Sequence, residues 1–327
     1  MIPCLNEEHH IRGVVQFGLD ELGSRKGCVV VVDGFSSDRT VAIVQDLAAA
    51  DSRVKLVRNP ARIQSAGVNL AVRQEGTGCD YILRLDAHAQ YSPGLLNSLL
   101  DIAMTQGSAA VAVPMKAVGQ TCFQHAAAAA QNSWLGNGGS LHRRPGWSGW
   151  VDHGHHALIR MSEFRQLEGY DPSFTHNEDA EFDRRLTMSG GKIWLSGNTP
   201  IIYFPRTTPT GLFRQYLSYG RGRCRTVFKH RVRLKLRQLI PLCVAPAALL
   251  VLASGAALPL ILLGLALCLL VGALFSSRSR QFCDLFAGFA AVIMQVAWSV
   301  GFWWELGSRL RTTVGEFFTM RPKQRES

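Results

Sequence analysis

From Leu239 to Phe275 the chain runs for thirty-seven residues without a charge, directly behind a stretch, 206–238, that holds ten Arg or Lys and no acid. As one helix such a run is about 55 Å long against a hydrocarbon core of roughly 30 Å, so it has to fold back on itself. Ser254-Gly255 and Pro259 mark the turn and predict spans over 239–255 and 258–275. A third apolar segment, Phe282 to Trp304, has Asp284 and Glu305 at its ends and Trp298, Trp303 and Trp304 as interface anchors. The pattern predicts a basic juxtamembrane segment over 206–238, a membrane region over 239–307 with about three transmembrane helices, and a short basic tail over 308–327. Positive-inside reasoning puts Arg221 to Arg237 and Arg278 to Arg280 on the cytoplasmic side of an inner (plasma) membrane. A crossing third segment, which is the expectation, leaves Arg309, Arg311 and Lys323 outside against that bias; the alternative is a segment lying in the interface.

The rest of the chain, 1–205, has 18 basic against 20 acidic residues. The overall charge of +11 therefore sits beside the apolar spans, which excludes a nucleic-acid-binding surface on the larger part. A hydrophobic content of 47% excludes disorder. The eight cysteines lie far apart with no zinc-like spacing and read as reduced structural thiols. Glu7 and Glu8 interrupt any apolar run at the start, so targeting is expected from the C-terminal segments. Met1 to Glu7 reads as the end of a first strand, from a short start or a strand stub.

Residues 1–205 alternate strand-like and helix-like patterns, predicting an α/β domain with a mostly parallel, Rossmann-like sheet. Strands are expected at Cys28–Asp33, Val54–Val57, Tyr81–Asp86 and Ala109–Pro114, and helices from Ser37 or Asp38, over Ala66–Arg73 and over Gln124–Gln131. Two of these strands stop at an acid, Asp33 and Asp86, where ligands of open parallel sheets bind. Gly136 to Trp150 is dense in Gly, Trp and basic residues and is expected as a loop, with Trp134, Trp147 and Trp150 as core packing or sugar-stacking rings.

Asp86-Ala-His88 places two ligands on one side of an extended segment, and its imidazole suits Mn²⁺ better than Mg²⁺. Asn177 to Leu186 holds four acids within six residues at a helix start, more than the macrodipole requires, and a carboxylate there is placed to act as a general base. Asp183 and Arg184 are expected on a solvated face. His153, His155 and His156 precede a buried strand and read as cleft-lining imidazoles, a third metal ligand being the alternative.

In their order, Pro3-x-x-Asn6-Glu7, Val32-Asp33-Gly-Phe-Ser36-Ser37-Asp38-x-Thr40, Asn59 to Asn69, Asp86-x-His88 and Glu178-Asp179 resemble family 2 inverting glycosyltransferases over essentially 1–225. Leu85-Asp-Ala-His-Ala89, Tyr203-x-Pro-Arg206 and Arg214-Gln-Tyr-x-x-Tyr-Gly220 look like the membrane-bound exopolysaccharide enzymes of the succinoglycan-biosynthesis type. The resemblance implies a GT-A nucleotide-diphospho-sugar transferase fold. It implies that Glu7, Asp33, Asp38, Arg62 and Asp86 bind the nucleotide sugar, that Asp86 and His88 hold a divalent cation, Mn or Mg, and that Asp179 is the base with Glu178 beside it. The expected reaction moves a hexose, glucose from a UDP-sugar, onto a polyprenyl-diphosphate-linked saccharide. Arg206, Arg221, Arg223 and Arg225 are expected to attract that lipid diphosphate, and a polysaccharide-assembly complex is the expected partner. Gly34 stands where the family usually has a second acid, and the Gln-x-x-Arg-Trp signature of processive enzymes is missing at Gln215, which implies one sugar per encounter. The alternatives are transfer to polyprenyl phosphate itself and an inert nucleotide-sugar-binding membrane scaffold.

Overall fold

The computed structural model describes residues 1–140, 146–255 and 257–319, and the chain divides into two compact units, Met1–Pro205 and Arg206–Ser327. Part of the Gly-rich loop (141–145), the side chains of His156 and of residues past 311, and the tail past 319 with Lys323 lie outside the described residues.

In the first unit β1 (Ile2–Cys4), β2 (Val29–Asp33) and β3 (Val54–Arg58) form a parallel sheet in the order β1-β2-β3. Alternation sends Val29 and Val31 to one core and Val30 and Val32 to another, so the strand is apolar throughout because both faces are covered. The backbone of Met1 continues the pairing: its ammonium donates to Leu83 O (2.6 Å) and its carbonyl accepts from Leu85 N–H (2.9 Å). That joins β1 to a five-stranded sheet of β4 (Tyr81–Leu83), β8 (His155–Arg160), β5 (Ala110–Val113), β9 (Ile193–Leu195) and β7 (Gly149–Val151), in that order. β8 lies antiparallel between β4 and β5, so the sheet is parallel in its N-terminal half and mixed beyond it. β6 (Met115–Ala117) and β10 (Ile201–Tyr203) pair separately in parallel.

Helices α1 (Ile11–Leu22) and α4 (Leu95–Gln106) cover one face of the sheet through Ile11, Val15 and Leu99, while α2 (Thr40–Ala50) adds Val44. The other face carries α3 (Gln64–Glu75), α7 (Met161–Gln166) and α8 (Glu178–Met188) through Val68, Phe164, Phe182 and Leu186. α5 (Cys122–Asn132) starts in a capping box of Thr121 and Gln124, and α6 (Trp134–Asn137) is one turn that runs into the start of the expected loop. Trp134 and Trp150 are exposed, whereas Trp147 packs against the core.

The second unit contains α9 (Pro209–His230), α10 (Leu236–Ala253), α11 (Ala257–Ser279), a 3-10 turn at Phe282–Phe286, and α12 (Ala287–Thr319). Most of the basic segment is thus a helix in its own right, Pro209–His230, opened by Pro209 and a Thr208 cap. Leu236–Ala253, Ala257–Ser279 and Phe282–Arg311 are each long and apolar enough to cross a membrane.

Gly169 has φ +74°, and a methyl group there would strike the Asn69 side chain. Asn69 in turn ties α3 to the chain entering α8, donating to Tyr170 O (2.6 Å) and accepting from Tyr170 N–H (2.9 Å). Gly169→Ala is expected to lower the unfolding free energy by ~3 kcal/mol, through left-handed strain plus this clash. The check is denaturant unfolding of the detergent-solubilised full chain; an unchanged midpoint contradicts it.

Candidate active site

The loops after β1 and β2 are laced together by the residues of their two motifs. Asn6 N–H donates to Ser36 Oγ (2.8 Å), Glu7 N–H to Thr40 Oγ1 (2.8 Å), Glu8 N–H to Asp38 Oδ2 (3.1 Å) and Ser37 N–H to Asn6 Oδ1 (2.8 Å). Asp38 also accepts from Thr40 N–H (3.0 Å), so its carboxylate holds loop backbone and the start of α2. Asp33 is fully buried at the end of β2, accepts from the Phe35 and Ser36 N–H groups (2.9 and 3.2 Å) and pairs with Arg58 at 3.0 Å. Phe35 is exposed at φ +66°, with the Arg58 and Arg62 guanidiniums 4.6 and 5.4 Å from its ring centre. That aromatic face between two cations was not expected from the sequence.

β4 ends at Leu83, but Arg84 to Asp86 stay extended, with Arg84 N–H donating to Ala157 O (2.8 Å). The register pairs Tyr81 with Arg160, Ile82 with Ile159 and Leu83 with Leu158, so its continuation sets Asp86 opposite His155. Their side chains meet at 3.4 Å, and Arg84, two residues before Asp86, points to the same face. Arg84 is buried. Its Nη1 lies 2.5 Å from Asp179 Oδ1, and its Nη2 lies 3.6 Å from Glu178 and 3.7 Å from Asp86. With its amide oxygen turned towards the guanidinium, Gln64 accepts from Arg84 Nε and Nη2 (3.2 and 2.6 Å), while the Tyr170 ring lies beneath at 5.9 Å. His155 Nδ1 is 3.7 Å from Asp179 Oδ2, outside hydrogen-bond distance. That oxygen is therefore the one available to take a proton. Two carboxylates distant in the sequence, Asp86 and Asp179, thus share one guanidinium and one imidazole.

Glu7 connects this cluster to the β1 end: its Oε1 meets His88 Nδ1 at 2.8 Å and its Oε2 meets His10 Nδ1 at 3.1 Å. His153 bonds Asp183 at 2.6 Å. Asp183 is fully buried and also accepts from Gly154 N–H (3.1 Å), so the expected solvated position is instead an internal anchor for the chain leading into β8. In the second unit Arg221 and Arg225, two of the residues expected at a lipid diphosphate, pair with Glu305 at 3.3 and 2.8 Å.

Burial opposes ionisation of Asp86, but the His155 hydrogen bond, then the charges of His155, Arg84 and His88, hold it well below the usual carboxylate range. Burial, with the adjacent Asp179 charge, pushes Glu178 up to about 7. Asp86 and Asp179 bring two carboxylates to one guanidinium, and a carboxylate is the oxygen donor that a divalent cation takes. Asp86, His155 and the expected His88 offer the oxygen and imidazole donors such an ion takes. Among the described residues no three His, Cys, Asp or Glu converge on one point, so further ligands would have to come from the diphosphate.

The raised Glu178 also makes stability depend on pH. Its unfolded value is near 4.5 and its folded value about 7, so between them the folded state keeps a proton that the unfolded state has lost. The stabilisation is complete below about 4.5 and is lost as the pH rises through about 7, on the order of 3 kcal/mol in all. In thermal melts from pH 5 to 8, Glu178→Gln is expected to flatten the fall in Tm seen in the parent chain; parallel curves contradict it.

Residues 1–167 match the family described as Glycosyl transferase family 2. The chain is 44% identical over 309 residues to succinoglycan biosynthesis protein ExoA of Rhizobium meliloti (strain 1021), covering 94% of each chain. It is 21% identical over 230 residues to the Methanococcus voltae dolichyl N-acetyl-alpha-D-glucosaminyl phosphate 3-beta-D-2,3-diacetamido-2,3-dideoxy-beta-D-glucuronosyltransferase, covering 67% of this chain and 70% of the relative. Among solved structures, the mannosyltransferase PcManGT from Pyrobaculum calidifontis, in complex with GDP-Man and Mn2+, superposes with a TM-score of 0.63. It covers 93% of this chain and 86% of its own, and at 16% identity the likeness is one of fold.

Proposed function

We propose that this chain, which belongs to glycosyl transferase family 2, inverts the anomeric centre of a nucleotide-diphospho-sugar as it transfers the sugar to a lipid-linked saccharide during exopolysaccharide biosynthesis. It is a glycosyltransferase with a GT-A-like catalytic unit and apolar C-terminal helices that associate it with a membrane. The observation that carries the reading is the convergence of Asp86 and Asp179 on Arg84, which sets a diphosphate-side carboxylate beside a basic one. The 44% identical relative supports an exopolysaccharide product, and the lipid-linked substrate in the Methanococcus relative's name supports a lipid acceptor. A hexose, glucose from a UDP-sugar, remains our reading of the donor, and the cytoplasmic face of the inner membrane our reading of the location.

In this reading Glu7, Asp33, Asp38, Arg62 and Asp86 line the donor site, and Phe35 offers its ring face to the base. Asp86, with His88 or His155, would hold a divalent cation, Mn or Mg, which would supply positive charge against the departing diphosphate. Asp179 Oδ2 takes the proton of the acceptor hydroxyl as that oxygen attacks the anomeric carbon on the side away from the nucleotide. The bond from that carbon to the phosphate oxygen breaks with its electron pair going to the nucleoside diphosphate, so the configuration inverts. Arg84 holds Asp179 in place, with Glu178 beside it. Arg206, Arg221, Arg223 and Arg225 would draw the acceptor diphosphate. Arg221, Arg225 and Arg309 each pair with Glu305.

The test is release of nucleoside diphosphate by the solubilised full chain from UDP-, GDP- and dTDP-sugars with Mg²⁺ or Mn²⁺. Arms with a polyprenyl-diphosphate saccharide and with polyprenyl phosphate separate elongation from lipid charging. Release is expected with the saccharide acceptor, and Asp179→Asn is expected to slow it about 10³-fold while UDP affinity changes only a few-fold. UDP binding with no transfer from any donor contradicts the reading and favours an inert scaffold.

A further inference from the structure

α10 ends at Ala253 and α11 starts at Ala257, and both bear exposed leucines along their lengths: no residue of Leu236–Ala253 and almost none of Ala257–Ser279 is buried, whereas Phe282–Arg311 buries a far larger share. α12 touches both arms. At its start the backbone of Cys268 lies against Gly288, and Leu285 lies against Gly272, with no room for a side chain on either glycine. Further along, Ser299 Oγ donates to Leu242 O (3.0 Å) and accepts from Ala245 N–H (3.0 Å), and Trp303 Nε1 donates to Leu242 O (2.9 Å). The cause is local: Pro246 lacks the N–H that would take up the Leu242 carbonyl, and α12 satisfies it instead.

Leu242 lies eleven residues from the end of α10 at Ala253, and Cys268 eleven residues from the start of α11 at Ala257. Each contact is therefore ~16 Å from the hairpin tip. Between Gly288 and Ser299 or Trp303, α12 covers ~17–22 Å in passing from one arm to the other. It is a crossbar at one height on a two-armed hairpin, and when the hairpin points into a bilayer the crossbar lies level with the membrane plane. If α12 stood upright, both arms would lie flat with their leucines out of the hydrocarbon.

α9 reinforces this. It runs parallel to α12, with Gly220 against the Trp298 backbone and Gly301 against that of Leu217. Glu305 collects Arg221, Arg225 and, at 3.4 Å, Arg309, which also sits 5.9 Å over the Phe228 ring. Residues 298–309 of α12 are thus sheathed by a helix bearing Arg214, Arg221, Arg223, Arg225 and Lys229, a charge load that hydrocarbon does not accommodate. The part of α12 ahead of that sheath, 287–297, spans ~16 Å, about half of a hydrocarbon core.

We propose that α12 does not cross the membrane but lies in its interface beside α9, with anionic headgroups as the partner of their cationic surplus, while the α10–α11 hairpin projects into the bilayer. The end of α12 then stays on the side that α9 occupies. This departs from the expected crossing and leaves Arg309 and Arg311 on the same side as the other basic residues. The full chain is fused at its N- or C-terminus to GFP, which fluoresces only in the cytoplasm, or to alkaline phosphatase, which is active only outside it. Both termini are expected to report one side; opposite sides overturn the proposal. An independent readout is a single cysteine, Ser308→Cys, reacted with a membrane-impermeant maleimide in right-side-out and inside-out vesicles. It is expected to label in the same vesicles as Ser37→Cys in the first unit, and labelling in the opposite vesicles overturns the proposal.

Discussion

The buried guanidinium of Arg84 is the contact around which the catalytic unit is organised. A charge taken out of water costs several kcal/mol unless it is paired and hydrogen-bonded. Here Asp179, Asp86 and Glu178 supply the opposite charge, Gln64 accepts from the guanidinium and Tyr170 closes the lower face. These partners come from the extended end of β4, from the start of α3 and from the chain entering α8. Packing those pieces correctly and satisfying Arg84 are the same event. The arrangement also divides the acids: Asp179 holds the short contact to Arg84, while burial, with the charge of Asp179 beside it, pushes Glu178 up to about 7.

The second unit solves a related problem with backbone groups. Proline inside α10 frees a carbonyl that lipid would leave unpaired, and side chains of α12 take it up. Glycines let α9 and α12 approach until their backbones touch, and Glu305 then sits among three arginines. In both units a single polar group, Arg84 or Glu305, fixes how separate elements meet.

Much of this was legible in the sequence. β-branched runs ending in Asp33 and before Asp86 marked strand ends, and the acid-rich helix start at 178–183 marked α8. The uncharged run with its Ser-Gly break marked the hairpin. What escaped was set by pairing at a distance. Arg84 reads as an ordinary strand residue until β8 lies antiparallel beside it, and only that register brings His155 to Asp86. Asp183 looked like one more surface acid on a polar helix, yet His153 and Gly154 bury and satisfy it from 30 and 29 residues away. Asp38 reads as the start of a helix, and the lacing of the two loops through it is seen only in the fold. Glu305 looked like the end of an apolar span because its partners on α9 lie 80 and 84 residues earlier.

The most direct test of Arg84 as organiser is a double-mutant cycle on the transfer rate, with Arg84→Met, Asp179→Asn and the pair together. If the two groups act as one unit, Arg84→Met slows the parent enzyme about 10²-fold or more but changes little once Asp179 is Asn, a coupling of roughly 3 kcal/mol. Effects that simply multiply would mean that the guanidinium and the carboxylate work independently, and the account given for the site would be wrong.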